Sequence, residues 1–309
     1  MKEFISIDKA VEVLNSGGVV ALPTETVYGL AAKINDVSAL KKIFETKARP
    51  FFDPLIVHVS NLEMISNLTL NPHPILIQLA EEFWPGPLTL VFDKNPNTVS
   101  DIITSGTDTV AIRWPDHSLT EQIISKLNTP IAAPSANPFK KTSPTEADHV
   151  RQYFPNLNIV DGGSCEIGLE STIVKLVPES NTLLILRPGQ ISRQNLIDFF
   201  KSKNLNIKVI ESFNLEGPGS MKEHYQPSAD LYLFKNKPIS YDYPEFKNKI
   251  VKPIIFPENP FLFARVLYKT LIEESKNVDI LLFEWTHDEL DSNWSAIHNR
   301  LEKAAKVIL

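Results

Sequence analysis

The sequence has a single cysteine, no long apolar run and no excess of positive charge. Cys165 alone cannot form an internal disulfide or build a thiolate metal site, which agrees with a reducing compartment. No stretch approaches the roughly 18–20 apolar residues that a membrane helix needs. The first residues, MKEFISIDKA, lack the basic and then apolar pattern of a secretory signal. We therefore expect a cytoplasmic protein with no membrane partner.

The charge balance limits the class of partner. There are 31 Lys and Arg residues against 37 Asp and Glu residues, so the net charge is −6. Residues 1–204 carry 18 basic and 22 acidic side chains, so the larger part of the chain is acidic too. Binding of RNA or of a nucleotide must therefore come from a local basic patch.

Several common catalytic signatures are also missing. The segment 163–168 has the glycine spacing of a P-loop but continues with Leu169 and Glu170 in place of Lys and Ser or Thr. No GxGxxG or GxSxG segment occurs, and seven scattered histidines give no zinc spacing. These gaps disfavour the familiar hydrolases and metalloenzymes, and we predict no metal-ligating residues.

The distribution of glycine predicts the domain organisation. All 11 glycines lie between Gly17 and Gly219, and the last 90 residues contain none. Around the change, Gly217-Pro218-Gly219 and Pro227 indicate an irregular connection. We predict a first, catalytic domain over residues 1–210, a linker or lid over 211–229, and a small C-terminal α/β domain of Rossmann-like type over 230–309.

The first domain alternates β-rich runs with helical patterns. Strands are predicted at 19–23, 55–59, 88–92, 109–114, 130–134, 171–176 and 182–187, and helices at about 37–46, 74–83, 118–127, 145–153 and 192–202. Some connections are too short for a helical crossover, which predicts a twisted mixed sheet with flanking helices.

The tail predicts a small three-stranded α/β unit with some parallel pairing. Its strands are expected at 230–234, 251–256 and 279–285, and its helices at about 261–276 and 292–307.

Four cations stand at the ends of predicted elements. Lys47 and Arg49 follow a helix, and Arg113 and Arg187 each close a strand, so they could converge on one face and bind an anion. Taken singly, such residues are mostly solvated charges. Likewise His58, between two valines on an apolar strand, is by itself more typical of a hydrogen-bonded core histidine.

Eight ordered segments together resemble the YrdC-type family of threonylcarbamoyl-AMP synthases, in its longer branch with an extra C-terminal domain. The segments, within about 21–191, are PTETVYGL, KARP followed by DPLIVHV, FWPGPLTLVF, VAIRWPDH, AAPSAN, SPT, GLESTIVKL and ILRPGQI. PGSMKEHYQP at 218–227 resembles the linker of the long branch. The chain departs from the family pattern at Phe51-Phe52-Asp53 and at Phe139-Lys140, where small or polar residues are usual.

The resemblance implies a YrdC-like fold and a nucleotidyltransferase. Such an enzyme makes L-threonylcarbamoyl-AMP and pyrophosphate from L-threonine, bicarbonate and ATP, with Mg²⁺. Its product goes to the machinery that forms threonylcarbamoyladenosine at position 37 of tRNAs, and tRNA itself would be at most a weak direct partner. Adenylyl transfer of this kind needs alignment, charge neutralisation and exclusion of water more than a protein nucleophile.

The resemblance also assigns residues to roles. Lys47 and Arg49 are the implied catalytic residues. The implied ATP contacts are Lys47, Arg49, Asp53, Thr109, Ser135, Asn137, Ser143, Arg187 and Tyr225. The implied threonine contacts are Thr26, His58, Arg113, Ala133 and Ser171.

Two other functions stay open at this point. The first domain could be a double-stranded RNA-binding module, because its fold in this family presents a concave surface. The chain could also resemble the carbamoyl-transfer domain of hydrogenase-maturation proteins, which shares these motifs but normally sits in a much larger chain.

Overall fold

The structure is a computed structural model, and it describes residues 3–212, 224–287 and 293–309. Most of the predicted linker, including Gly217-Pro218-Gly219, lies outside these ranges. Within them, every helix is too short or too polar to cross a membrane.

Ten strands form one twisted sheet. From β1 to β10 their bounds are Val20–Leu22, Gly29–Lys33, Ile56–His58, Leu88–Asp93, Thr109–Arg113, Ile131–Ala132, Asn158–Ile159, Thr172–Val177, Thr182–Arg187 and Lys208–Glu211. The order across the sheet is β10-β9-β8-β4-β5-β3-β6-β2-β1-β7. Parallel and antiparallel pairs alternate irregularly, which confirms the predicted mixed sheet.

Helices flank this sheet. From α1 to α8 their bounds are Ile7–Asn15, Val37–Lys47, Glu63–Leu68, Pro74–Phe83, Asp101–Thr104, Ser118–Leu127, Ala147–Tyr153 and Arg193–Ser202. Helix α2 begins after Asp36, whose side chain accepts a hydrogen bond from the Ala39 backbone N–H at 2.9 Å. It ends at Lys47, and the chain then turns through Ala48 in the left-handed region, which directs Arg49 back toward the sheet.

Strand register sets the position of the key cations. Strands β3 and β5 are parallel, and His58 pairs with Arg113 at their carboxyl ends. The ladder continues at the same level through Thr89 on β4 and Ile173 on β8 to Arg187 on β9. Three strand spacings of about 4.8 Å therefore place the backbones of Arg113 and Arg187 roughly 14 Å apart on one edge of the sheet.

The seven predicted strands and five predicted helices of the first part are present, with bounds shifted by up to a few residues. Strands β2, β7 and β10 and helices α1, α3 and α5 were missed. Strand β2 reads Gly-Leu-Ala-Ala-Lys, a composition with low strand propensity, and it forms because it pairs with β1 and β6. Helix α1 had a usable signal, since Ser6 caps it and Ala10 and Leu14 share its buried face.

The tail forms a second sheet, and here the prediction of three strands was wrong. The strands are β11 (Asp230–Lys235), β12 (Val251–Pro253), β13 (Ile280–Trp285) and β14 (Val307–Ile308), in the order β12-β13-β11-β14 with every pair parallel. Its helices are α9 (Pro260–Glu274) and α10 (Ser295–Ala304). The last helix stops at Ala304 and the chain adds β14, a strand too short to show a pattern in sequence.

An apolar cluster joins the tail to the first part. Val27 and Leu169 belong to loops of the first part, and they pack with Phe263 and Leu267 of α9 and with Tyr225. The tail therefore covers the loops that precede β2 and β8, and these loops border the site described below.

Candidate active site

A cavity that is partly open to solvent lies beside the ends of β3, β5 and β9. Nine of the predicted site residues line it, namely Thr26, Arg49, His58, Arg113, Ala133, Ser135, Ser171, Arg187 and Tyr225. The structure thus brings together residues that lie up to about 200 positions apart in the sequence.

At one end of the cavity, Arg113 is buried and held in place. Its Nη1 donates to the Thr26 hydroxyl at 2.9 Å and its Nε donates to the Gly86 carbonyl at 3.1 Å. Its Nη2 lies 2.5 Å from the Glu25 carboxylate, and both side chains are at most 6% exposed. We call the group Glu25, Thr26, His58 and Arg113 the Arg113 end.

His58 stays neutral in this environment. Burial and the neighbouring Arg113 charge lower the pKa of His58 to about 3. Its Nδ1 is buried and has no hydrogen-bond partner in the part of the chain that the structure describes. A neutral imidazole beside a guanidinium can therefore still accept or donate one hydrogen bond to a molecule in the cavity.

The other end of the cavity contains two more arginines. Arg187 donates through Nε to the Ser171 carbonyl and through Nη2 to the Ser171 hydroxyl, each at 3.0 Å. Arg49 forms an ion pair with Asp53 at 2.9 Å, and each of these side chains is 6% exposed. We call the group Arg49, Glu170 and Arg187 the Arg187 end.

Glu170 connects this end to the tail. Its Oε1 accepts from the Ser143 hydroxyl at 2.6 Å, and its Oε2 accepts from the Tyr268 hydroxyl and from Arg300 Nε, both at 2.9 Å. Burial alone would raise the pKa of Glu170, but the charges of Arg300 and Arg187 and these hydrogen bonds lower it to about 2. Glu170 is therefore a carboxylate at neutral pH, placed between two arginines.

Tyr225 lies against the same network. Its ring stacks on Tyr268 with centroids 5.6 Å apart, and the Arg300 guanidinium lies 5.1 Å from its centroid. Its backbone carbonyl accepts from the Thr142 hydroxyl at 3.0 Å. The side chain is 1% exposed and lines the cavity, so the described end of the predicted linker forms part of the wall.

Four predicted residues lie behind the wall. Lys47 is buried, and its Nζ donates to the Ser135 and Asn137 carbonyls, so it shapes this loop. Burial and Arg49 lower the pKa of Lys47 well below its usual range. Asp53 orients Arg49, and Ser143 binds Glu170.

Thr109 is not near the cavity. It begins β5, whose opposite end carries Arg113, so the two backbones are about 13 Å apart along the strand. Thr109 lines a different depression together with His73 and Lys175. The structure does not bring it to the predicted ATP contacts.

The departures from the family pattern lie on two sides of the site. Phe51 and Phe52 are 54% and 69% exposed, and the Phe51 ring packs against Phe44 in a tilted arrangement with centroids 4.7 Å apart. Phe139 contacts His224 edge to face at 6.4 Å, and the Lys140 carbonyl accepts from the Gln226 backbone at 2.8 Å. The second departure therefore supports the segment that carries Tyr225.

Comparison with known proteins agrees with this arrangement. The family model for Sua5/YciO/YrdC proteins, described as "Telomere recombination", matches residues 12–189. The chain belongs to the Sua5/YciO/YrdC family. A second model, the C-terminal domain of threonylcarbamoyl-AMP synthase, matches residues 191–306, so the chain is of the two-domain type.

Relatives of this family cover most of the chain. The threonylcarbamoyl-AMP synthase of Bacillus subtilis is 40% identical over 75% of this chain and 67% of its own length. That of Schizosaccharomyces pombe is 32% identical over 98% of this chain and 89% of its own length. The crystal structure of Pyrococcus abyssi Sua5 complexed with L-threonine superposes with a TM-score of 0.88 at 34% identity, covering 98% of this chain and 96% of that one.

One similarity concerns the fold alone. Full-length HypF matches with a TM-score of 0.52 at 15% identity, over 62% of this chain and 31% of that one. The two-domain match therefore favours the synthase family over a hydrogenase-maturation protein.

Sequence reasoning missed five residues that complete the site. Glu25, Glu170 and His224 are next to predicted residues in the motifs, and their neighbours could have suggested them. Tyr268 and Arg300 lie in the tail, where no local pattern connects them to Glu170.

Proposed function

We propose that this chain makes threonylcarbamoyl-AMP and pyrophosphate from L-threonine, bicarbonate and ATP, for the modification of tRNA at position 37. The observation that carries the proposal is a single cavity with Arg113 at one end and Arg49 and Arg187 at the other, in a chain of this family. Threonine has a carboxylate and ATP has phosphates, so cations at both ends match the substrates.

The Arg113 end suits the amino acid. The Arg113 guanidinium is fixed by Thr26 and Gly86, so it can bind the threonine carboxylate without reorganising. Ala133 and Gly29 form a narrow wall, since a Cβ built on Gly29 would lie 3.2 Å from the Ala133 Cβ. This wall limits the size of the amino-acid side chain, and the neutral His58 offers a polar partner.

The Arg187 end suits the phosphates. Arg49 and Arg187 would offset the charge that builds up as pyrophosphate leaves. Lys47 acts on the phosphates indirectly, because its ammonium binds the backbone carbonyls of Ser135 and Asn137 and so holds their loop in place. It is a positioning residue in this proposal.

The chemistry then needs no protein nucleophile. The threonine nitrogen and bicarbonate give a carbamate and water. A carbamate oxygen attacks the α-phosphorus in line, the bond to the bridging oxygen breaks, and pyrophosphate leaves. Between them, the two ends hold the carbamate and the phosphate at a fixed separation, and His224 and Tyr225 in the wall restrict water.

Mg²⁺ would enter with ATP as part of the substrate. Among the described residues that line the cavity, Glu170 is the only carboxylate, and both of its oxygens already accept hydrogen bonds. The cavity therefore offers no free carboxylate for a resident Mg²⁺, which would rely on phosphate oxygens and water.

The decisive experiment incubates the purified chain with ATP, bicarbonate and threonine and measures threonylcarbamoyl-AMP and pyrophosphate together. Both should form in equal amounts, and omission of any substrate should stop both. Arg49→Ala should reduce synthesis at least tenfold, because it removes a cation from the phosphates. Turnover close to that of the unaltered chain at saturating ATP would contradict the assignment of Arg49.

Amino-acid choice provides a second test. Threonine should react much faster than valine, because a site that hydrogen-bonds the hydroxyl leaves buried polar groups unpaired when the isostere binds. Equal rates would mean that the amino acid binds elsewhere.

The RNA-binding alternative is disfavoured by burial. Arg49, Arg113 and Arg187 are each at most 9% exposed, so they face the cavity and cannot contact a duplex backbone.

A further inference from the structure

A second cluster of polar side chains lies between the two parts of the molecule, outside the cavity. Glu146 stands at the N-terminal boundary of α7, and His149 follows one turn later on the same face. Glu273 lies near the end of α9 in the tail. One ligand atom from each of the three side chains lies within 4.8 Å of the other two.

His149 points into this cluster without a hydrogen-bond partner. The residue is 1% exposed, and its Nε2 is buried and makes no hydrogen bond among the described residues. Nε2 lies 3.8 Å from Glu146 Oε2 and 4.0 Å from Glu273 Oε1, too far for hydrogen bonds to either.

Neighbouring groups orient the ligands. Ser164 and Lys269 both donate to Glu146 Oε1, each at 2.7 Å, so Oε2 remains directed toward His149. On the other side of the ring, the Thr145 backbone N–H lies 3.4 Å and the Thr145 hydroxyl 3.5 Å from His149 Nδ1, so binding of a metal at Nε2 requires the Nδ1–H tautomer, which can donate a hydrogen bond to that hydroxyl. Two carboxylates and a neutral imidazole carry a charge of −2, and Lys269, which contacts Glu146 directly, reduces it to −1, so the cluster keeps a net negative charge.

We propose that Glu146, His149 and Glu273 form a site for a Zn²⁺ ion that links helix α7 to helix α9. One imidazole and two carboxylates match the N and O ligands that Zn²⁺ accepts, with water in the fourth position. Bonds of 2.0–2.2 Å in a tetrahedron require ligand atoms about 3.3–3.6 Å apart. The Glu273 side chain is 44% exposed, so a small rotation can close the present separations.

The experiment uses the full chain, stripped with a chelator and dialysed against ZnCl₂. We expect one zinc per chain. His149→Gln and Glu273→Gln should each lower the zinc affinity at least tenfold. Because Glu273 is half-exposed, its substitution tests the site even if His149→Gln folds poorly. The matched control is His298→Gln, which removes another histidine beside a glutamate in the tail and should bind zinc as the unaltered chain does.

Specificity separates this site from a cation that accompanies ATP. Millimolar Mg²⁺ should not displace the zinc, since Mg²⁺ prefers oxygen ligands in an octahedron. Co²⁺ in its place should give the visible absorption of a tetrahedral ion, and His149→Gln should remove it. The proposal would be overturned if the chain failed to bind stoichiometric zinc or if Mg²⁺ displaced the zinc. It would also be overturned if both variants bound zinc with the affinity of the unaltered chain. A stable but zinc-free chain would mean that the cluster only forms part of the packing between helix α7 and helix α9, which would also overturn the proposal.

Discussion

The two ends of the cavity are built in different ways. At the Arg113 end, the guanidinium is held by Glu25, Thr26 and Gly86, all in the first part of the chain. At the Arg187 end, Glu170 is held by Tyr268 and Arg300, which belong to the tail. The first part can therefore preorganise one end by itself, whereas the electrostatics of the other depend on both parts.

This difference gives the tail a specific role. Arg300 is 1% exposed, and besides Glu170 it donates through Nη2 to the Pro188 carbonyl at 2.9 Å. Without Arg300, the buried negative charge of Glu170 would lose one of its two neighbouring arginines and would be compensated by Arg187 alone, beside the proposed phosphate site. We infer that the tail acts on the Arg187 end by neutralising Glu170 as well as by covering the cavity.

The largest effect is expected from Arg113→Ala. It should lower kcat/KM for threonine by about 10²–10³, because it removes a preorganised donor pair. ATP affinity, measured by titration calorimetry, should change much less. The double variant Arg113→Ala/Glu25→Gln should recover stability but not threonine binding, since no unpaired charge is left buried. Equal losses for ATP and threonine would show that the two ends are not separate.

Arg300→Ala should have the next largest effect and should act on the opposite end. We expect ATP affinity to fall about tenfold, since removing one partner of a buried pair leaves Glu170 facing the phosphates. Threonine affinity should stay close to that of the unaltered chain. Arg265→Ala, at an exposed position of α9, is the control and should change neither affinity. Unchanged ATP affinity in Arg300→Ala would limit the tail to covering the site.

Tyr225→Ala should give a smaller loss. It removes the ring from the cavity wall, so we expect weaker ATP binding and more ATP consumed per product formed. Tyr225→Phe separates the two contributions, because it keeps the ring stacked on Tyr268 and loses only the hydroxyl. If Tyr225→Ala retains both the affinity and the coupling ratio, the ring only packs the segment on the surface of the tail.

The smallest effect at neutral pH is expected from the protonation of His58 and Glu170. Because the two residues titrate in different pH ranges, it also distinguishes the Arg113 end from the Arg187 end. The pKa of His58 is about 3 in the folded chain against an ordinary 6.5, so its contribution to stability is complete above pH 6.5 and is lost as pH falls toward 3. Relative to His58→Gln, the unaltered chain should lose roughly 1.4 kcal/mol of unfolding free energy per pH unit in that window.

Glu170 should respond at lower pH. Its pKa is about 2 against an ordinary 4.5, so its contribution is complete above pH 4.5 and is lost as pH falls toward 2. Urea unfolding of Glu170→Gln and His58→Gln between pH 7 and 3 tests the order in which the two contributions to stability are lost as the pH falls. The Arg113 end should weaken first as acid is added. These assignments would be contradicted if, as the pH falls, the stability contributed by Glu170 were lost before that contributed by His58.

Much of the sheet and one end of the site could be predicted because their signals are local. Arg113 and Arg187 close strands with clear β-rich patterns, and strand ends in a sheet meet at a common edge. The Gly-Leu-Ala-Ala strand β2 and the two-residue strand β14 could not be predicted, since their pairing partners, not their own residues, make them strands.

The sequence by itself determined the family motifs, the order of strands and helices that carry them, and the cations placed at strand ends. Only the tertiary structure decided which residues neutralise those cations. Glu170 and Arg300 are 130 positions apart, and nothing in local periodicity joins them. The same holds for Glu146, His149 and Glu273, whose spacing in the sequence gives no metal motif. Burial between two folded parts creates the need for a charge partner, and only folding selects which side chain supplies it.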